Sequence, residues 1–222
     1  SLQNENYKYK WVAIDSLGQI IESQERKFPA FVTNFGGGNG TYKFQDKIFY
    51  WNSFLDTVFE VSPDLVEVPS FLISPGEHRW PKSGDIGNGE ITKDLSILHI
   101  LETNNYWMIR CIYKEKNDFV IVEKKSRKSF LTEWAFDGRG GISNILDGGT
   151  GFLPRSYFKK DNSEFLVGFV QPSWLKTKVN GNEFKKSNPK SLTRKKELEK
   201  LSGTLMETDN PILTIVRLRK YK

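Results

Sequence analysis

The segment TYKFQDKIFYWNSFLDTVFEVSPDLVEVPSFLIS, residues 41–74, contains several short runs rich in aromatic and β-branched residues. Such residues favour β-strands, and Pro63 and Asp64 belong to the residue types that favour turns. Two residues separate the runs at 47–53 and 56–61, and a turn at 62–65 precedes the run at 66–73. The segment therefore predicts a four-stranded antiparallel meander of about the length of one propeller blade.

The rest of the chain repeats this pattern of short strands and turns. A second meander is predicted from runs at residues 96–102, 106–114, 118–124 and 129–134. Hairpins are predicted at 7–23 and 157–170, and a last strand at 212–218. The fold class is therefore all-β, built from successive antiparallel meanders as in a β-propeller. A double-sheet sandwich uses similar strands and is the alternative.

One segment has helical periodicity. In SLTRKKELEKLSGTLM, residues 191–206, leucines recur at roughly helical spacing, and Ser191 is a suitable start. The sequence predicts a helical insertion here, near the C-terminus, and a polar excursion at residues 171–190.

The charge of the chain is unevenly distributed. The formal net charge is +6, and residues 176–200, the basic segment, carry that whole excess. A nucleic-acid binder more often spreads its charge over a structured face with interleaved aromatic side chains. The composition thus favours a solvated insertion and argues against nucleic acid as a partner. Nucleic-acid binding through the basic segment is the third functional hypothesis, and its affinity would fall steeply with added salt.

The composition also bounds the size and the setting of the protein. With 222 residues, of which 16 are Phe, 8 Tyr and 6 Trp, the chain can bury a sizeable core in one or two domains. No run approaches the ~18 apolar residues that a membrane-spanning helix needs. The single cysteine, Cys111, excludes an internal disulfide and a cysteine-rich zinc site. It lies in an apolar run, which predicts a buried, inert thiol.

Three stretches carry a family resemblance: FLDTVFEVSPD at 54–64, ILDGGTGFLPRSY at 145–157, and a helix followed by METDNPILTIVRLRK at 206–220. They resemble the six-bladed β-propeller family of uncharacterised, mostly exported bacterial proteins. The resemblance covers roughly the last three quarters of the chain and implies a periplasmic or extracellular protein. None of the three stretches is a catalytic motif.

The resemblance implies a single propeller-like domain over residues 1–222 with about three and a half blades. Six blades of ~40–45 residues need at least ~240–270 residues, so the chain resembles the C-terminal part of such a propeller. Either further blades precede it, or a second copy closes the ring, since an open end exposes unpaired strand edges. A homodimer is therefore one expected partnership.

The common catalytic, metal and phosphate-binding motifs are not found in the sequence. The glycine-rich run at 36–40 is not followed by the Gly-Lys-Ser/Thr of a phosphate-binding loop. His78 and His99 are the two histidines, and neither has an acidic or cysteine cluster nearby. A nucleophile elbow, Gly-x-Ser-x-Gly, is also missing. We therefore predict no catalytic residues, no metal ligands and no cofactor.

An enzymatic alternative remains open on three acidic residues. Asp137, Asp147 and Asp161 could supply the paired carboxylates of a glycan-acting hydrolase or lyase with its site at the propeller channel. Aspartates in glycine-rich turns, however, usually hydrogen-bond to their own turn.

The favoured hypothesis is a non-enzymatic module that binds a ligand or protein on its loop face. Arginine and aromatic side chains on loops suit stacking on sugars or gripping carboxylates, so the ligand is a glycan or a protein. The same aromatic side chains could instead pack between blades. The candidate binding residues are His78, Arg79, Trp80, Trp134, Arg139, Asp147 and Arg155.

Overall fold

The computed structural model describes residues 9–25, 39–52, 55–73, 95–135 and 140–219. These residues are mostly β, in several antiparallel sheets with few helices. The chain divides into two units, residues 1–98 with 113–115 and residues 99–112 with 116–222.

The first unit contains a hairpin and a four-stranded meander. The hairpin pairs β1 (Tyr9–Ile14) with β2 (Ile20–Glu25). The meander has the sheet order β3-β4-β5-β6, from β3 (Asn39–Phe44), β4 (Lys47–Asn52), β5 (Thr57–Val61) and β6 (Glu67–Leu72). The predicted hairpin at 7–23 and the predicted meander at 41–74 are confirmed over the residues that the structure describes.

Cross-strand aromatic packing and turn chemistry explain this sheet. Tyr42 lies opposite Phe49, and their rings stack with centroids 5.0 Å apart. Tyr50 is almost fully buried, so the aromatic runs form the core of the sheet. Gln45 and Asp46, between β3 and β4, have φ of 49° and 61°. Two successive left-handed residues make the hairpin turn whose twist matches that of the strands.

The second unit contains most of the second meander and a three-stranded sheet. The meander has the order β10-β9-β8-β7, from β7 (Ser96–Glu102), β8 (Tyr106–Tyr113), β9 (Lys116–Glu123) and β10 (Ser129–Glu133). The other sheet has the order β11-β12-β13, from β11 (Ser156–Lys160), β12 (Ser163–Val170) and β13 (Ile212–Arg217). The predicted second meander, the second hairpin and the last strand are confirmed.

The region between β12 and β13 differs from the prediction. The helix at 191–206 is confirmed as α3 of three helices, α1 (Pro172–Asn180), α2 (Asn182–Lys186) and α3 (Leu192–Thr204). The Ser191 side chain caps it by accepting a hydrogen bond from the Arg194 N–H at 3.3 Å. The polar excursion at 171–190 was wrong, since Leu175, Val179 and Phe184 of α1 and α2 form a small buried core.

Candidate functional site

The loop between β10 and β11 brings the end of one sheet against the start of the next, within the second unit. Trp134 pairs with Gly140 as an isolated bridge, and Gly140 has φ of 81°. A Cβ on Gly140 would lie 2.0 Å from the Glu133 carbonyl oxygen, and a Cβ on Gly151 would lie 1.9 Å from the Gly140 carbonyl oxygen. Both positions therefore require glycine. This close backbone packing brings Arg155 towards the region of Trp134.

Arg110, on β8, stacks against the same tryptophan. The guanidinium carbon of Arg110 lies 5.5 Å from the centroid of the Trp134 ring. The Nε of Arg110 is buried and has no hydrogen-bond partner. No acidic residue in the part of the chain that the structure describes forms a salt bridge with Arg110.

Arg155 approaches from the three-stranded sheet. Its backbone N–H donates to the carbonyl oxygen of Val167 at 2.7 Å, which holds the residue beside β12. Its guanidinium carbon lies 5.1 Å from the centroid of the Phe169 ring. With Gly140 and Trp174, Arg155 lines a water-sized cavity of about 20 Å³. Among the described residues, Arg155 also has no acidic partner.

The charge of Arg155 acts on Arg110, and the charges of both arginines act on His99 of β7. Burial, and after it the charge of Arg155, lowers the pKa of Arg110 to about 10. Burial also lowers the pKa of Arg155. Burial, followed by the charges of Arg110 and Arg155, lowers the pKa of His99 to about 4. At neutral pH the arginine cluster (Arg110, Arg155 and His99) therefore has two cations and a neutral imidazole.

This arrangement is suited to hold an anion. Arg110 and Arg155 are half-buried, so each loses part of its hydration, and an opposite charge that forms hydrogen bonds with them offsets that loss. A guanidinium group presents donors in a planar fork that matches a carboxylate. A neutral imidazole adds one further donor or acceptor.

Three of the predicted binding residues lie in the described part of the chain, and two of them lie at or beside the cluster. Arg155 belongs to the cluster. Trp134 is only 4% exposed, and its Nε1–H donates to the Asp118 carbonyl oxygen at 3.2 Å. Trp134 thus presents a ring face to Arg110 and is itself part of the core.

Asp147 has a different setting. Its Oδ1 accepts hydrogen bonds from the Asn144 side-chain amide at 2.7 Å and from the Gly149 N–H at 2.8 Å. It thereby stabilises its own turn, at the edge of a cavity of about 690 Å³ in the second unit. The other four predicted binding residues, His78, Arg79, Trp80 and Arg139, lie outside the described residues.

Sequence reasoning did not single out Arg110, and it considered His99 as a possible metal ligand. A signal for Arg110 was present, because an arginine inside the apolar strand YWMIRCIY is rarely buried without a partner. Its proximity to Arg155 depends on contacts between distant segments, which no local pattern reveals.

Several lysines of the basic segment are used internally. Lys195 is 8% exposed, and its Nζ donates to two backbone carbonyl oxygens, at 3.1 and 2.8 Å. Lys176 donates to the Leu205 carbonyl oxygen at 2.6 Å. These cations bind the three helices together, so they contribute less to a basic surface than the sequence suggests.

The thiol of Cys111 is buried, as predicted, and burial raises its pKa to about 12, which favours the unreactive protonated form. Within the described residues, no group of three His, Cys, Asp or Glu side chains could hold a metal ion. None of the described helices is long and apolar enough to cross a membrane.

Comparison with known proteins shows a family and a fold. The model of a family described as a domain of unknown function (DUF4934) matches residues 1–217. No curated protein matches the chain. The crystal structure of a "putative exported protein" from Bacteroides fragilis is similar, with a TM-score of 0.58 and 16% sequence identity. The match covers 97% of this chain and 59% of that one, so the chain spans less than two thirds of the solved protein's length.

Proposed function

The chain belongs to the family described as a domain of unknown function (DUF4934), and from this premise we propose that it is a non-enzymatic ligand-binding module. Its ligand is a glycan that carries a carboxylate, and the arginine cluster binds that carboxylate. The observation that carries the proposal is the buried Nε of Arg110, which has no hydrogen-bond partner and lies within electrostatic reach of Arg155.

The pairing of charge and aromatic surface supports a sugar acid as the ligand. Phe169, against which Arg155 stacks, is 38% exposed. An aromatic ring beside a guanidinium group offers a flat apolar surface for a sugar ring and a planar donor pair for its carboxylate. In a sugar acid the ring and the carboxylate belong to one rigid unit, whereas an Asp or Glu side chain joins its carboxylate to no ring.

The proposed fold goes beyond the separate antiparallel sheets described above. We propose that the meanders are blades of a six-bladed propeller, to which this single domain contributes about three and a half. Consecutive strands lie side by side in both four-stranded sheets, as blades require. The description of the solved neighbour supports an exported, periplasmic or extracellular location.

The proposed propeller leaves open whether further blades or a second copy close the ring. Light scattering of the purified chain tests the homodimer. A dimer supports closure by two copies, whereas a monomer removes it.

Isothermal titration calorimetry with D-glucuronate, and with D-glucose as its neutral counterpart, tests the binding site. We expect glucuronate to bind and glucose to bind at least tenfold more weakly, a difference of about 1.4 kcal/mol. The Arg110→Gln/Arg155→Gln variant should lose at least tenfold in glucuronate affinity, because both charged donors are replaced.

Arg127→Gln is the matched control, since Arg127 also stacks on an aromatic ring, that of Trp107, at 5.0 Å. Its glucuronate affinity should equal that of the wild type. If glucose binds as well as glucuronate, or if the double variant binds normally, the proposed site is wrong. Binding of acidic peptides but not of glucuronate would favour the protein ligand.

A glycan-acting hydrolase or lyase would need two carboxylates about 5–10 Å apart. Asp147 is engaged in its turn, and Asp161 lies in the turn between β11 and β12 with φ of 47°. Asp137 lies outside the described residues. Release of new reducing ends from an acidic glycan would replace the binding proposal with this enzymatic one.

A further inference from the structure

The cavity of about 690 Å³ in the second unit is lined mainly by apolar side chains from two facing sheets. On one side, Met108, Ile121 and Phe130 belong to three neighbouring strands, and Phe130 lies directly opposite Ile121 in the β9–β10 pairing. On the other side, Leu166 lies opposite Val216 in the β12–β13 pairing. Each wall thus contains apolar side chains from neighbouring strands of its sheet.

The loop between β10 and β11 and helix α3 complete the walls. Leu198 and Leu201 of α3 line the cavity together with Ile215 of β13. Large apolar side chains that face it remain accessible, since Phe130 is 58%, Ile215 57% and Leu201 39% exposed. Ligand cavities in proteins usually have about 300–1,000 Å³ and mostly apolar walls, so this one has the size and lining of a ligand site.

The lining includes two charged side chains of opposite sign. Arg194 of α3 and Asp147 both line the cavity. The Asp147 carboxylate already accepts hydrogen bonds from Asn144 and Gly149. The guanidinium of Arg194 forms no salt bridge with any of the described residues. Arg194 is exposed, so its guanidinium is accessible to the anionic head of a molecule whose apolar tail lies in the cavity.

We propose that this cavity binds a free single-chain fatty acid, with its alkyl chain between the two sheets and its carboxylate on Arg194. This ligand differs from the carboxylated glycan of the arginine cluster. The two sites adjoin, since Phe169 and Leu153 line both cavities, but Arg110 and Arg155 do not line the larger one. The larger cavity therefore has its own charged residue.

Sodium laurate below its micellar concentration is the probe, measured by calorimetry on the full chain. We expect one laurate per chain, at least tenfold weaker binding of 1-dodecanol, and no detectable binding of acetate. Leu201→Trp should lower laurate affinity at least tenfold, because the larger ring occupies the cavity. Leu192→Trp on the same helix is the control, since Leu192 is exposed and lies outside the lining.

Arg194→Gln should lower laurate affinity severalfold and leave dodecanol affinity unchanged, whereas Lys196→Gln, which removes a charge outside the lining, should change neither. The Arg110→Gln/Arg155→Gln variant should bind laurate normally, which separates this inference from the glycan proposal. Normal laurate binding by Leu201→Trp, or its loss in the double arginine variant, would overturn the cavity assignment. Equal binding of laurate and dodecanol to the wild type would overturn the role of Arg194.

Discussion

Two regions of the second unit place cations over aromatic rings, and they differ in what neutralises the charge. Lys124 lies 5.0 Å from the centroid of the Trp107 ring, and its ammonium group forms a salt bridge with Glu102. Arg110 lies 5.5 Å from the centroid of the Trp134 ring and has no such carboxylate among the described residues. Both rings belong to tryptophans, and the neighbouring carboxylate distinguishes Lys124 from Arg110.

The first unit also contains a cation that lies over an aromatic ring and forms a salt bridge with a carboxylate. Lys10 lies 4.7 Å from the centroid of the Phe59 ring and forms a salt bridge with Glu67. Glu67 also accepts a hydrogen bond from the Trp11 Nε1–H at 2.7 Å. In these two places a partly buried cation over an aromatic ring forms a salt bridge with a carboxylate. That salt bridge stabilises the fold. The arginine cluster lacks one, which is why we assign it to a ligand that brings the acid.

The largest expected effect comes from breaking the neutralised pair. Glu102→Gln should lower the free energy of unfolding by about 2–3 kcal/mol, because it leaves Lys124 charged and largely buried. Urea unfolding measures this change. Glu183→Gln is the control, since Glu183 is 92% exposed in its salt bridge with Lys178 and should change stability by less than about 1 kcal/mol. Equal effects of the two variants would show that burial does not distinguish these pairs.

The second prediction uses the pH dependence of the arginine cluster. The pKa of His99 is about 4 in the folded chain, below its ordinary value of 6.5. The unfolded chain therefore binds more protons between these values, and stability is lost as the pH falls from about 6.5 towards 4. After allowance for the partial exposure of His99, we expect a loss of about 1–2 kcal/mol.

The difference in unfolding free energy between the wild type and His99→Gln, followed from pH 7 to pH 4, isolates this contribution from the carboxylates that titrate nearby. The difference should fall across the window. Glucuronate should reduce the fall, because its charge opposes that of the two arginines. A constant difference would mean that neither burial nor the two arginines lowers the pKa of His99.

The third prediction concerns Lys195, whose ammonium group donates hydrogen bonds to backbone carbonyl oxygens. Lys195 lies 4.9 Å from the centroid of the Phe184 ring and donates to the carbonyl oxygens of Lys185 and Ser187. Lys195→Met should lower the free energy of unfolding by about 1 kcal/mol, because it leaves both carbonyl groups without this donor. Lys196→Met, at an exposed position on the same helix, should have no measurable effect. If urea unfolding shows equal losses, the buried ammonium does not hold α2 to α3.

The sequence allowed the strands to be predicted because their signals are local. Aromatic and β-branched runs such as KIFYWN mark strands, and Ser191 marks the start of α3. Helices α1 and α2 were missed because they are short, and only Leu175, Val179 and Phe184 reveal an apolar side once they pack together.

The candidate site was harder to predict, for a physical reason. Arg155 was identified from its loop, but its relation to Arg110 depends on backbone contacts between Gly140 and Gly151. Those glycines looked like ordinary turn residues in the sequence. Whether a carboxylate neutralises a cation depends on residues far away in the chain, as for Lys10 and Glu67. Counting charges in the sequence therefore could not separate cations that have a carboxylate partner from cations that lack one.

The most direct test of the arginine cluster compares the unfolding free energy of the wild type and the Arg110→Met/Arg155→Met variant, with and without D-glucuronate. Without ligand, the variant should be as stable as the wild type or up to about 1 kcal/mol more stable, since two unneutralised cations are gone. At ten times the Kd of glucuronate, the wild type should gain about 1.4 kcal/mol and the variant nothing, so the wild type becomes the more stable protein. A variant that is less stable than the wild type without ligand, with glucuronate shifting both proteins equally, would show that the arginines are structural and would contradict the assignment.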